Sequence, residues 1–385
     1  MNILSLKEPA IGLHILLLVF ICVASFLILF FVEGKYLKLL YYKFVARKKY
    51  PTEEIQTDND VQMTNEYIRT TDPAQLKEEY AVVIRDLTKY RKKYPAVDGI
   101  CLGIKPEESF AIAGTSGSGK STLVRMLIGD TLVSSGKAWV NEFSIITEER
   151  KIQHIIGYCP QTDDLLGSLP VIQTLRIFAL IRGIPADDCL TVSKKIASIF
   201  DLTDHLQKRV KVLSRCNRRK LSTATAIIGN PKVLILDQPT AGMDPISRRH
   251  VWDILSYLRD SDKCIFLASD CMEECELLST RLAMMVNGKI KCIGSIKHLQ
   301  SKFAQGYYLV IKVKKDAKEK YVSQIENFIK KNFPSAVLRD KFQRMLTYSI
   351  LDASMAWSKM FALLEKAKKL FSIEDYSLGE HTMEQ

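Results

Sequence analysis

Between Ile11 and Val32 the sequence has no Asp, Glu, Lys or Arg. At about 1.5 Å per residue that run is long enough to cross a bilayer core, so it reads as a transmembrane helix rather than a buried helix of a soluble domain. A basic start is missing as well: only Lys7 and Glu8 precede the run, which argues against a cleaved secretory leader. The basic residues come afterwards, at Lys35, Lys38, Lys43, Arg47, Lys48 and Lys49, and this bias places residues after 33 in the cytosol. His14, the one clearly polar side chain in the run, reads as an interface residue, and Tyr36, Tyr41, Tyr42 and Phe44 suit an interfacial belt.

Paired cysteine spacing is also absent. The nine cysteines are an odd number, and Cys271 and Cys275 lie four apart with no second Cys/His pair to complete a zinc site. A disulfide framework is excluded, leaving reduced, mostly buried thiols in a cytosolic domain. Acidic residues are in deficit, 43 against 55 basic, for a net charge of +12. Such an excess points to nucleic acid or to a membrane surface. The dense basic run at 35–49 is explained by the apolar helix before it, and no nucleic-acid partner is expected.

What is present is ordinary globular material, 47% hydrophobic and 25% charged over 385 residues, enough for roughly two to three domains. Its centre is Gly114-Thr115-Ser116-Gly117-Ser118-Gly119-Lys120-Ser121-Thr122, which satisfies the phosphate-loop pattern G-x-x-x-x-G-K-[ST]. A short apolar run, Ser109 to Ala113, precedes it, and the helix-compatible Leu123 to Ile128 follows. Strand, loop and helix in that order let backbone N–H groups close on phosphate oxygens at a helix N-terminus. Lys120 is then placed to reach the β- and γ-phosphates, and Ser121 to ligate Mg²⁺.

The rest of the chain divides around this loop. Residues 1–32 carry the apolar helix. Residues 33–78 form a juxtamembrane segment followed by a polar, acidic stretch with little periodicity, which reads as a linker. Residues 79–304 make an α/β nucleotide-binding domain. Within it, 169–212 form an inserted helical subdomain, with apolar spacing at Ile172, Leu175, Phe178 and Leu180. Strand-like runs at Val233 to Leu236 and Cys264 to Ser269 end in Asp237-Gln238 and Asp270. An aspartate ending an apolar strand downstream of a phosphate loop is the usual second Mg²⁺ anchor. Asn287-Gly288 marks a hairpin turn. Tyr90, or else Tyr94, lies upstream of the loop where an aromatic ring could stack on a purine base. Residues 305–385 read as β-α-β-β-α-β, a ferredoxin-like α+β domain without a catalytic constellation.

Phosphate loop, Gln161, the segment Leu213-Ser214-Arg215-Cys216-Asn217, Asp237 and Asp270 occur in an order and spacing that resemble the nucleotide-binding domain of an ABC transporter. The phrases IGYCPQTDDLL (156–166), RKLSTATAIIGNP (219–231), GMDPISRR (242–249) and CMEECELLSTRLAMMVNGKIKCIGS (271–295) resemble its A subfamily, the transporters of lipids and sterols. The tail after 305 is similar to that subfamily's C-terminal regulatory domain. The resemblance implies a RecA-like core plus helical subdomain, with ATP and Mg²⁺ as ligands. It further implies a second nucleotide-binding domain and transmembrane domains as partners, and membrane lipid as substrate. Since one helix makes no translocation path, the chain is expected to be part of something larger. By the same resemblance Tyr90 is the base-stacking aromatic and Gly114 to Thr122 hold the phosphates. Ser121, Gln161 and Asp237 attend the metal, Leu213 to Asn217 are the signature that caps a partner's nucleotide, and Asp244 belongs to the turn that signals across a cassette dimer.

Three positions depart from the family pattern. Gln238 stands where a glutamate polarises the attacking water, and an amide accepts no proton. Asp270 stands where a histidine would meet the γ-phosphate, bringing negative charge toward negative charge. Arg215 and Cys216 replace two signature glycines, putting side chains where backbone N–H groups would approach a phosphate. ATP binding with impaired hydrolysis is the expectation. Two alternatives stay open: a membrane-tethered ATP-sensing regulator or decayed copy, and an Arg215 that acts as an arginine finger.

Overall fold

Three runs without a polar interior form the centre of the larger unit. They are β3 (Ser109–Ala113), β7 (Val233–Asp237) and β8 (Cys264–Ser269), every residue of which is buried. Strands so covered on both faces belong to a parallel sheet, and these three pair in parallel as β3–β8–β7. The computed structural model describes residues 11–33, 57–91, 94–261, 263–303, 307–313, 319–342, 345–350, 355, 357–371 and 373–380. The chain divides into two compact units, Met1–Ile293 and Gly294–Gln385.

In the first unit, β1 (Val82–Arg91) and β2 (Tyr94–Ile104) form an antiparallel hairpin, and β1 also pairs with β4 (Ser135–Val140), which carries β5 (Phe143–Ser144) at its edge. The central sheet runs β10-β9-β3-β8-β7-β6, with β6 Ile156–Cys159, β9 Arg281–Val286 and β10 Lys289–Ser295. The expected turn at Asn287-Gly288 joins β9 to β10, both residues at positive φ (48° and 80°). The phosphate-loop helix Lys120–Leu127 buries Leu123, Val124, Met126 and Leu127 in one core with Ile84, Leu102, Phe110, Ile235 and Phe266. That helix thereby fixes the loop to both sheets. The helical subdomain is found as Val171–Ile181 and Ala186–Ile199.

The segment read as a linker is folded in its second half. Asn59–Thr70 and Pro73–Glu79 are helices, capped by Asp58 and by Asp72 with Pro73 at the first helical position. They bury Val61, Ile68 and Leu76 against the β1–β2–β4 sheet, where Ile68 and Leu76 join Val83, Cys101 and Trp139. One buried residue every seven or eight is too thin a stripe to register as periodicity. The caps were the readable signal.

The helix Ile11–Glu33 appears where the apolar run predicts one. Its described side chains, Leu16 to Leu29, are nearly all exposed. Among the described residues no helix is long and apolar enough to cross a membrane, so the spanning expectation is not carried by the fold. The basic and aromatic positions at 35–49 and His14 lie outside the residues whose side chains are described.

In the second unit, β11 (Tyr307–Val313), β12 (Ala336–Phe342), β13 (Met345–Ile350) and β14 (Ile373–Glu380) make an antiparallel sheet in the order β12-β13-β11-β14. Helices Glu319–Asn332 and Trp357–Leu370 fill the α positions of the ferredoxin-like pattern, and Ile325, Ile329, Met360 and Leu364 share a core with Leu309, Ile311 and Leu346.

Leu76 has no exposed surface, so truncating it leaves a cavity. Leu76→Ala should lower unfolding stability by about 2–5 kcal/mol in chemical denaturation. A solvated linker would give a change within about 0.5 kcal/mol.

Candidate nucleotide-binding site

The loop after β3 is shaped by its surroundings. Gly119 has φ 110°, and a Cβ there would sit 2.2 Å from the Ala96 carbonyl oxygen, so no other residue fits. The hairpin turn braces the loop from the side: Gly288 N donates to Ser118 O at 2.8 Å. Above the loop lies a cleft of about 430 Å³ lined by Ser116, Gly117, Gly119, Lys120, Ser121 and Thr122, together with Arg91, Ala96, Arg125, Gln161 and Gln238.

Lys120 is 4% exposed and turns its ammonium onto the loop itself, donating to the carbonyls of Gly114 and Thr115 and to Ser118 Oγ. Burial lowers its pKa, and the carboxylates of Asp270 and Asp237 act in the opposite sense. Ser121 Oγ lies 3.1 Å from Asp237 Oδ1 and 3.3 Å from Gln161 Oε1. Gln161 Nε2 in turn donates to Gln238 Oε1 at 3.2 Å. Four residues from three separate parts of the chain thus meet at one point.

Asp237 is fully buried, and its second oxygen, Oδ2, has no hydrogen-bond partner. Burial raises its pKa, while Ser121, Arg219 and Lys120 counter that rise. An orphaned carboxylate oxygen beside a hydroxyl and an amide oxygen suits a hard divalent cation that takes its remaining ligands from phosphate and water. Ser121, Gln161 and Asp237 therefore fit Mg²⁺ held with a nucleotide.

Gln238 is 8% exposed at φ 50°, a left-handed conformation uncommon outside glycine. Its N–H donates to Ala268 O at 2.7 Å, tying the exit of β7 to β8. Asp270 is exposed just beyond β8. Asp244 caps the helix Pro245–Arg259, accepting from Ser247 N at 3.0 Å, and that contact leads the causes that hold its pKa below the usual range.

Not every expected residue joins the cleft. Tyr90 and Tyr94 are absent from its lining, where Arg91 and Ala96 stand instead; Tyr94 is 80% exposed. The segment Leu213 to Asn217 does not line it either. Leu213 is buried, and Ser214 caps a helix that begins at Arg215, so Arg215, Cys216 and Asn217 form its first turn.

Two buried residues at the site had no role in the sequence reading. Arg219, 2% exposed, donates to the carbonyls of Pro160, Asp237, Gln238 and Pro239 and pairs with Asp163 at 3.3 Å. Glu274, 1% exposed, accepts from Thr240 Oγ1 at 2.7 Å, Trp252 Nε1 at 3.2 Å and the Ser269 hydroxyl. Their only sequence signal was a charge inside otherwise packed helices. Nothing local distinguishes Arg219 from Arg218 or Lys220.

Residues 97–241 match the ABC transporter family, and residues 304–380 match the ABCA1-like, C-terminal R1 regulatory domain. The chain is 41% identical over 310 residues to the phospholipid-transporting ATPase ABCA3 of Rattus norvegicus, covering 79% of this chain and 18% of that one. It is 40% identical over 293 residues to the retinal-specific phospholipid-transporting ATPase ABCA4 of Homo sapiens, covering 76% and 13%. The chain therefore spans less than a fifth of the length of these relatives. Its fold is similar to the dimeric ATP-binding cassette MJ0796 solved with ADP and Pi (TM-score 0.53, 19% identity, 56% of this chain and 98% of that one). It is similar also to cbiO1 of Clostridium perfringens (TM-score 0.52, 26% identity, 58% and 92%).

Burial raises the Glu274 pKa from its ordinary 4.5, against its three hydrogen bonds and the nearby Arg248. Above 4.5 the unfolded chain releases a proton that the native chain keeps, so this group's contribution to stability falls as pH rises toward the native pKa. Glu274→Gln, which preserves the shape and stays neutral, should gain on the wild type as pH rises from 5 to 8 in denaturation midpoints. Parallel pH profiles would contradict this.

Proposed function

The chain belongs to the ABC transporter family, and on that premise we propose that its cassette binds ATP with Mg²⁺ to drive or gate lipid movement by transmembrane domains outside it, while hydrolysing ATP poorly. The observation that carries the binding half is the meeting of Ser121, Gln161 and Asp237, whose other oxygen is left without a partner, beneath a complete phosphate loop. Lipid as substrate is supported by the names of the phospholipid-transporting relatives. A second cassette as partner follows from how ABC cassettes work, in pairs.

In this reading Lys120 transfers its donors from the loop carbonyls to phosphate oxygens, and loop N–H groups complete the cradle. Mg²⁺, when bound, offsets the phosphate charge. Arg91 and Arg125 line the same cleft as Lys120, so the cavity favours a polyanion. Gln238 occupies the position next to the water that would attack. Its amide orients that water and takes no proton from it, a loss of about 10²–10⁴-fold when a general base is missing. The exposed apolar side chains of Leu16 to Leu29 support attachment at a membrane, with the cassette on the cytosolic side. An ATP-sensing regulator without turnover is the second reading, and Gln238 favours it.

Equilibrium binding of a fluorescent ATP analogue to the full chain, with and without Mg²⁺, tests the binding half. Wild type should bind with Mg²⁺-enhanced affinity, and Lys120→Ala should weaken binding at least about tenfold, the equivalent of 1.4 kcal/mol. Equal binding by both chains would contradict it.

A further inference from the structure

Arg215 stands where the family pattern has a glycine, and the fold gives it a neighbour within its own chain. It occupies the first position of the helix Arg215–Ile227, whose cap is Ser214. Its guanidinium lies over Gly242: a Cβ built on that glycine would be 2.8 Å from Arg215 Nε and 2.9 Å from Cζ. Gly242 has φ 73°, and the turn around it is compact, with Ala241 N donating to Gln238 O and Met243 N to Thr240 O, both at 3.2 Å.

Arg219 lies four residues further on, so the two arginines project from one face of the helix. Arg219 grips the carbonyls of residues 237 to 239. Thr240 is tied to Glu274, and Asp244 caps the next helix. Gly242 lies midway between these anchors, and Arg215 covers it. We propose that Arg215 is a positioning residue that latches the signature segment 214–217 to the 240–244 turn of its own chain, so that the two form one fixed surface. The Cys216 thiol near Asp244 supports the same junction, contributing to the lowered pKa of that carboxylate.

Two consequences distinguish a latch from a merely exposed arginine. The latch holds the turn in the absence of nucleotide, and a methyl group at 242, where φ is already 73°, would push the guanidinium off the turn. A glycine at 215 would uncover Gly242 and leave the turn to its own backbone hydrogen bonds and the buried Met243.

Hydrogen exchange on the full chain without nucleotide reads this directly, and its outcome stands whether or not the chain binds ATP. In Arg215→Gly the amides of Ala241 to Met243 should exchange about tenfold faster or more, while those of β8 are unchanged. Gly242→Ala should cost more stability in the wild-type background than in Arg215→Gly, where only the backbone strain remains. Unchanged exchange at 240–244, equal cost of Gly242→Ala in both backgrounds, or loosening of β8 to the same extent as the turn would each overturn the proposal.

Discussion

A single buried guanidinium holds the exits of two central strands together. Arg219 spends its donors on the carbonyl of Pro160, just after β6, and on those of Asp237, Gln238 and Pro239, just after β7. The carbonyls of Pro160, Gln238 and Pro239 lie beyond the strand ends, where a buried acceptor left unpaired costs about 1–3 kcal/mol. Satisfying them from one rigid, planar group fixes where Gln161, Asp237 and Gln238 point. Ser121 can then meet two of them from the phosphate-loop helix. The charge is tolerated because Asp163 lies beside it and every donor is directed at oxygen.

Binding and chemistry separate along this framework. The features proposed to cradle a triphosphate are formed by the fold itself: the loop's positive φ angles, the buried Lys120, and the unpaired oxygen of Asp237. Gln238 is held tightly beside Gln161 and presents an amide there. Arg215 extends the pattern one turn earlier on the same face of the helix, where its side chain lies over the chain's own turn and the family pattern has a glycine. The conformational freedom of segment 240–244 is set by the same helix that organises the metal-side residues.

Much of this was legible before the fold. The phosphate loop could be read because its chemistry needs fixed residues at fixed spacing, and β3, β7 and β8 because buried parallel strands are apolar without alternation. The ferredoxin-like order of the tail followed from alternating strand and helix patterns. The helices at 59–79 were missed because Val61, Ile68 and Leu76 are too sparse to show a face, although Asp58, Asp72 and Pro73 carried cap signals. Arg219, Glu274 and Arg91 were not legible, since their importance lies in which distant carbonyls, hydroxyls or cleft walls they meet. The base-stacking role expected of Tyr90 has no counterpart in the cleft lining, where the neighbouring Arg91 stands instead. Strand pairing of Arg91 with Tyr94 and of Tyr90 with Pro95 sets which side chain faces the loop, and a one-residue shift of register exchanges the faces.

The central claim is that this chain holds ATP·Mg²⁺ in a formed site whose missing part is a proton acceptor at position 238. Single-turnover ATP hydrolysis by the full chain and its Gln238→Glu variant, at matched nucleotide occupancy, tests it most directly. Little turnover in the wild type and a rise of about 10²-fold or more in the variant is the predicted result. Wild-type turnover equal to that of Gln238→Glu, and abolished by Lys120→Ala, would contradict it.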